Sequence, residues 1–420
     1  MAMPLLRRYA GMATAEGGTP NNGTGVDLRA SLGRFLRRPL ASYYLILGSA
    51  GLLLLLGLIM VFSSTTYMST QQFGHPAYYF TRQLLWVLVA LPVAWVISRM
   101  PLRFLRALSL LMVIGAIVLL ALTYVPGLGV VRGGSRNWLD FGGPFLLQPS
   151  EAAKLALVIW AAHVFANKGK LLRHWRHLVV PVGPIAAVVV GLTIGQGDLG
   201  TSVIMMLILL GMLWVIGVPT WLFGLTLGGV GVLGVYLIAT AEHRLARILT
   251  FLDPFSDYSV TGYQPANSIF ALANGGWWGT GLGASTQKWG PLPEQHTDFI
   301  FAILGEELGL PGSLMVIVLF LAFGYAGLRI ATRTKDTFVR LAAAGITGWF
   351  MVQTVINLGM VLAVFPVVGV PLPLVSYGGA SMVVTIAAVG VMLALAKQEP
   401  GAKEALAARR RRRQRQEART

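Results

Sequence analysis

The sequence predicts an all-α integral membrane protein of about ten transmembrane helices with both termini in the cytoplasm, and three observations carry that prediction. First, 55% of the 420 residues are hydrophobic and 12% are charged, with a mean hydropathy of +0.69. No single soluble core hides that much apolar surface. Second, apolar windows long enough to cross the hydrocarbon layer recur at roughly 43–63, 80–98, 104–125, 151–167, 178–195, 201–217, 219–240, 308–329, 339–365 and 377–396. Third, most of the 33 Lys and Arg residues flank alternate window ends, the pattern that orients membrane proteins with basic segments inside.

Taken in order, the chain opens with a polar, Gly-rich, Arg-bearing stretch, 1–42, read as a disordered cytoplasmic leader. The first apolar window begins too late for a cleaved signal peptide. The transmembrane domain spans 43–396, and a basic cytoplasmic tail covers 397–420. Arg99, Arg103 and Arg106 follow the second window, Lys168, Lys170, Arg173 and Arg176 the fourth, and Arg329, Arg333, Lys335 and Arg340 bracket the gap after the eighth. On the outer half this leaves Arg82, Arg132, Arg136, Lys154, Arg244, Arg247 and Lys288. The net charge of +17 is thus accounted for by membrane orientation, and no folded basic domain exists to carry nucleic acid. The basic run Arg409 to Arg413 fits anionic lipid or an acidic cytoplasmic partner. With no cysteine, thiol nucleophiles, disulfides and thiolate metal sites are excluded. Among the histidines only His174 and His177 are ligand-spaced, and they lie among solvated basic residues.

Four outer segments depart from plain spans. Gly133 to Lys154 joins the third and fourth helices. Ser150 reads there as an N-cap with Glu151 in the first turn, where the helix dipole favours an acid. Glu151 and Lys154, three apart, share a helix face and can pair, either to anchor the helix end or to meet substrate. Gln196 to Thr201 forms a tight turn in which Asp198 either caps the sixth helix or serves the site. The segment 241–307 is a large extracytoplasmic loop between helices 7 and 8, too long for a mere connector. Its Arg244 and Arg247 present two cations to one point, for a phosphate-bearing ligand or for lipid headgroups. Its glycine cluster, 275–283, follows no strand and so marks close backbone turns rather than a dinucleotide fingerprint. The fourth segment, 366–381, carries Pro366, Pro371 and Pro373 in an apolar context. A continuous helix is forbidden there, and a re-entrant-like loop before helix 10 is predicted.

Asp298, Glu306 and Glu307 stand in and beside apolar sequence, where a carboxylate is expensive and so marks chemistry or ion handling. For Asp298 two effects compete: burial near lipid raises its pKa, and a position ahead of a helix N-terminus lowers it. The sequence leaves that balance open.

Five ordered motifs run through these segments: Arg136-Asn137-Trp138-Leu139 with Gln148 to Lys154, Asp198 to Thr201, Pro293 to Ala302, Glu306 to Gly309, and Leu372 to Ser381. Together they resemble the SEDS family (shape, elongation, division and sporulation), over about residues 43–396. The Gly-Gly-Trp-Trp-Gly run at 275, Gln287-Lys288 and the long basic tail are more similar to its division branch than to its elongation branch. Two positions depart from the family's habit, Gly197 where proline is usual and Ala380 where serine is commoner, and neither removes a reactive group.

The resemblance implies a peptidoglycan glycosyltransferase of the cytoplasmic membrane, at the division septum, that polymerises lipid II on the outer face with undecaprenyl pyrophosphate leaving. Asp298 matches the family's essential aspartate and is the candidate general base. Arg136, Glu151, Lys154, Asp198, Arg244, Arg247, Lys288, Glu306 and Ser376 are expected around the substrate. Pyrophosphate is a natural oxygen ligand for Mg2+ or Mn2+, although no motif demands a metal. The resemblance also implies a class B penicillin-binding protein that supplies transpeptidation, together with other division proteins. Two other classes compete. Lipid II flipping would want a two-sided polar path, which the nearly charge-free helix centres do not offer, and a purely structural division scaffold is the other.

Overall fold

The computed structural model describes residues 36, 38–142, 146–169, 171, 175–239, 253–255, 262–290 and 292–417, and the elements below all lie in one compact unit, Pro39–Thr420. Most of the leader expected at 1–42, and with it most of the segment 241–262, therefore fall outside the described residues.

Each of the ten apolar windows coincides with a helix: α1 Ala41–Phe73, α2 Tyr78–Arg99, α3 Leu102–Leu122, α4 Pro149–Lys168, α5 Trp175–Gly195, α6 Leu199–Ile216, α7 Thr220–Ala239, α9 Ile300–Arg333, α10 Thr337–Val361 and α11 Ala380–Ala396. A shorter helix, α8 Tyr263–Gly275, lies in the large loop, and α12 Ala402–Glu417 forms the tail. Among the described residues six helices, α1, α2, α3, α6, α9 and α10, are long and apolar enough by composition to cross a membrane. The molecule is an all-α, multi-pass membrane protein.

One feature departs from the all-helical expectation. Between α3 and α4 the chain forms β1 Gly129–Arg132, β2 Ser135–Asp140 and β3 Leu146–Leu147, an antiparallel sheet in that order. Arg132 pairs with Ser135 across Gly133 and Gly134, whose φ angles of 57° and 82° are those a two-residue hairpin turn with a right-handed strand twist demands. A glycine pair of this kind is a hairpin signal, which the all-helical reading of the sequence did not use.

Apolar side chains face outward all along the bundle, including Leu111, Val118, Trp214 and Val232, as expected where the surrounding solvent is hydrocarbon. Helix contact then relies on close packing at small residues rather than on burial of oil from water. A Cβ on Gly390 of α11 would lie 2.6 Å from the main-chain oxygen of Ala94 on α2. One on Gly57, in the middle of α1, would lie 2.7 Å from the main chain of Leu374 and Val375. The proline-bearing segment 362–379 is non-helical, yet Val370, Leu372, Leu374 and Val375 are buried. Irregular backbone is thus packed into the side of the bundle, against the middle of α1.

α9 is interrupted at Gly309, whose φ of 65° and ψ of −159° are not helical. Pro311 lacks an amide to continue the ladder. The backbone groups released by the break find new partners in the glycine cluster: the carbonyls of Glu306 and Glu307 accept from the amides of Thr280 and Gly281 at 2.9 and 3.0 Å, and the Leu310 amide donates to the Gly276 carbonyl at 3.2 Å. A Cβ at Gly275 or Gly279 would strike that main chain, so the close backbone approach expected of this cluster is present.

Candidate active site

Asp298 lies in the turn 292–299 that leads into α9. Glu294 takes a left-handed conformation, φ 53°, and its carbonyl accepts from the amides of Thr297 and Phe299 at 3.1 and 3.2 Å. Gln295 ties the turn to α1 by donating to the Ser64 carbonyl at 3.1 Å. The turn is also sewn to the irregular segment before α11. Ser376 Oγ donates to the Thr297 carbonyl at 2.5 Å and accepts from the Leu372 amide at 2.8 Å. The Tyr377 amide donates to the His296 carbonyl at 2.8 Å. Gln83 of α2 donates to the Ser376 carbonyl at 3.3 Å.

The Asp298 carboxylate is half-buried. A Cβ on Gly369 would sit 3.5 Å from its Oδ2, so the irregular segment forms one wall beside it. Burial, then Glu294, then Asp198 push its pKa up to about 7. Of the two effects competing in the sequence, desolvation prevails. Asp298 precedes the N-cap residue Phe299, and its side chain accepts no hydrogen bond from the first turn of α9. No described residue donates a hydrogen bond to the carboxylate; its main-chain carbonyl alone is held, by Asn357 Nδ2 at 2.7 Å. A carboxylate with both oxygens unengaged and a pKa near neutrality can take a proton from a reacting group at physiological pH.

Asp198 is the N-cap of α6, accepting from the Thr201 amide at 3.1 Å. Its other oxygen accepts from Asn137 of β2 at 2.9 Å and from Ser150 at 3.5 Å. The sheet is thereby pinned to the α5–α6 turn, with Ser135 donating to the Gly197 carbonyl at 3.1 Å and the Arg136 amide to Gln196 at 2.9 Å. The Arg136 guanidinium reaches the Val125 carbonyl at 3.4 Å. Ser150 is not the cap of α4: Gln148 precedes the helix and Pro149 opens it, where a fixed φ and a missing amide fit the first turn.

Glu151 and Lys154 form a buried ion pair at 2.7 Å, with Lys154 1% exposed. Lys154 also donates to Gln353 Oε1 at 2.8 Å and lies 5.0 Å from the centre of the Trp349 ring. Gln353 in turn donates to the Pro371 carbonyl at 2.8 Å. Lys288 pairs with Glu307 at 3.2 Å and also donates to the Gly283 carbonyl, while Ser63 donates to Glu307 at 2.6 Å. Glu306 is fully buried and accepts from Ser285 at 2.5 Å, from the Thr286 amide and hydroxyl at 3.0 and 2.7 Å, and from Asn274 at 3.4 Å. Its oxygens are used up in holding the glycine-rich loop. Arg244 and Arg247 lie outside the described residues.

The sequence reading passed over Asn357 and Gln353. Both sit four apart on one face of an apolar helix, which is itself a signal, since buried amides in a membrane helix must be engaged. It also passed over Asn137, the partner of Asp198.

The family profile described as cell cycle protein, FTSW_RODA_SPOVE, matches residues 43–400. The chain is 43% identical over 380 residues, 90% of its length and 72% of the relative's, to the "Probable peptidoglycan glycosyltransferase FtsW" of Mycobacterium tuberculosis. It is 42% identical over 354 residues, 83% of its own length and 90% of the relative's, to the protein of the same description from Nitrosococcus halophilus. To stage V sporulation protein E of Bacillus subtilis it is 37% identical over 343 residues, 81% and 93% of the two chains. Among solved structures it is similar to a chain in work on structural coordination of polymerization and crosslinking by a peptidoglycan synthase complex, with TM-score 0.68, 25% identity, and 84% of this chain and 96% of that one covered. Its fold is shared with the rod shape determining protein RodA of Thermus thermophilus, TM-score 0.63 at 24% identity over 84% and 97% of the two chains.

Proposed function

The chain belongs to the FTSW_RODA_SPOVE family of cell cycle proteins, and from that premise we propose that it polymerises lipid II into glycan strands with Asp298 as general base. It is an FtsW-like peptidoglycan glycosyltransferase of septal wall synthesis. The observation that carries the assignment of Asp298 is a half-buried carboxylate, unengaged by any described donor, at the joint of two non-helical segments. An Oδ of Asp298 takes the proton of the acceptor sugar hydroxyl as that oxygen attacks the anomeric carbon of the donor. The bond from that carbon to the diphosphate breaks, and undecaprenyl pyrophosphate leaves with the electron pair. A single displacement by one carboxylate base inverts the sugar.

The departing pyrophosphate gathers negative charge and needs cations. Arg136, Arg244 and Arg247 are our candidates for that contact, because Lys154 and Lys288 are committed to buried ion pairs. Glu151, Lys154, Asp198, Lys288, Glu306 and Ser376 then shape the substrate-binding walls. Among the described residues no three His, Cys, Asp or Glu side chains group to hold a metal. Mg2+ or Mn2+ would accordingly fit as an ion carried by pyrophosphate oxygens, supplying charge neutralisation there.

In the membrane we place all ten apolar helices as spans, both termini inside, with the sheet, the 292–299 turn and the re-entrant segment 362–379 towards the outer face of the cytoplasmic membrane at the septum. The partner fitting this reading is a class B penicillin-binding protein that cross-links the strands, alongside other division proteins. The test is lipid II polymerisation by the reconstituted chain with that transpeptidase, read as glycan strands on a gel. Wild type forms strands and Asp298→Ala, inserted at equal level, forms none; strands from both would remove Asp298 as base.

A further inference from the structure

Asn357 is fully buried in α10, and its Nδ2 donates two hydrogen bonds, to the carbonyls of Asp298 and of Val370, each at 2.7 Å. Both acceptors lie in non-helical backbone, 292–299 and 362–379, where carbonyls have no ladder partner of their own and a buried one left unmet costs about 1–3 kcal/mol. One amide therefore clamps the two segments together. Val370 follows Gly369, the residue whose added Cβ would lie 3.5 Å from Asp298 Oδ2. The clamp thus spans the gap between the candidate base and the wall beside it.

Gln353 repeats the device one helical turn earlier. Its Nε2 donates to Pro371, next in the chain after Val370, and its Oε1 accepts from Lys154 and Trp349. Residues four apart share a helix face, so α10 offers two rungs to one irregular segment. Only the Asn357 rung reaches the base itself. An amide suits this place and a carboxylate does not, because both partners are carbonyl oxygens and an ionised side chain would face them with like charge and no donor.

We propose that Asn357 is a positioning residue for Asp298, fixing the separation of the base from the segment 366–379 through its paired donation to the Asp298 and Val370 carbonyls. The proposal rests on Asp298 acting as the base. Loosening the clamp moves the carboxylate relative to the acceptor hydroxyl, and a displacement near 1 Å costs up to about 100-fold in rate. It also admits water to the carboxylate, removing part of the desolvation that leads the causes of its raised pKa, the others being the charges of Glu294 and Asp198.

The experiment compares wild type, Asn357→Ala and Asp298→Ala in lipid II polymerisation with the transpeptidase partner, from pH 5 to 9, each rate normalised to folded protein. Asn357→Ala is expected to lose roughly ten- to 100-fold in kcat, with KM little changed and the acid limb of its profile moved to lower pH. A wild-type kcat and an unmoved limb in Asn357→Ala, with Asp298→Ala inactive, overturns the positioning role and leaves the base assignment standing. Activity in Asp298→Ala overturns both. Should Asn357→Ala fail to fold, Asn357→Leu, which keeps the side-chain size and removes the donor without adding charge, carries the same comparison against the same criteria.

Discussion

Asp298 has an ordinary pKa near 3.8 and a folded value of about 7, so the fold binds its proton more tightly than the unfolded chain does. Below about 3.8 both states are protonated and the site costs nothing; above about 7 the fold bears the full cost of ionisation. Asp298→Asn should therefore raise the thermal midpoint at pH 8 and leave it nearly unchanged at pH 4, measured in detergent; an equal gain at both pH values would contradict the assigned shift. Lys154 makes a second residue-scale prediction. Lys154→Met leaves Glu151 buried without its cation, at a cost of about 3–5 kcal/mol, and adding Glu151→Gln should recover much of it, which a double-mutant cycle of unfolding midpoints reads out. Asp298 was legible in the sequence because a carboxylate beside apolar residues is conspicuous. The pKa balance was not, since it depends on Glu294, Asp198 and burial that only the folded turn brings together. Asn357 and Gln353 escaped notice because amides add no charge to an apolar window.

At the level of elements, the break in α9 at Gly309 and the glycine cluster form one unit, in which Thr280 and Gly281 take over carbonyls that the helix abandons. Gly279 and Gly281 both have positive φ, 77° and 101°, but only at Gly279 would a Cβ strike the main chain of Glu307, whereas Gly281 has open space. Gly279→Ala is expected to lower the unfolding midpoint clearly more than Gly281→Ala, which bears only a backbone conformational cost of about 1–2 kcal/mol; equal losses would contradict the close approach. The helices themselves were legible from apolar length alone, each window falling within a helix to a few residues. The start of α9 at Ile300 was not, because its first turns hold Glu306 and Glu307, whose charges are absorbed by Ser285, Thr286, Ser63 and Lys288. The small sheet was overlooked for a similar reason: its strands are too short to compete with membrane windows, and only Gly133-Gly134 announces them.

For the whole molecule, the distribution of Lys and Arg predicts which side each connection faces, and a chain without cysteine allows a direct check. Phe141 in the sheet connection and Lys335 between α9 and α10 are both exposed. In cells, Phe141→Cys should react with a membrane-impermeant maleimide from outside and Lys335→Cys only after lysis; the reverse labelling would overturn the orientation. In the proposed orientation Asp298, the Asp198 cap and the irregular segment 362–379 share one side of the membrane. The segments themselves were legible in the sequence. Their mutual stitching through main-chain carbonyls was not, because main-chain acceptors carry no signature in the sequence.

The central claim, that Asp298 removes the proton from the attacking sugar hydroxyl, is tested most directly by the pH dependence of kcat/KM for lipid II polymerisation by the wild-type chain with its transpeptidase partner. A base must be ionised to act, so the rate should climb as pH rises through about 7, the value its surroundings impose, and the climb should be absent from the residual rate of Asp298→Ala. A profile flat from pH 5 to 9, or the same acid limb in wild type and variant, would contradict it.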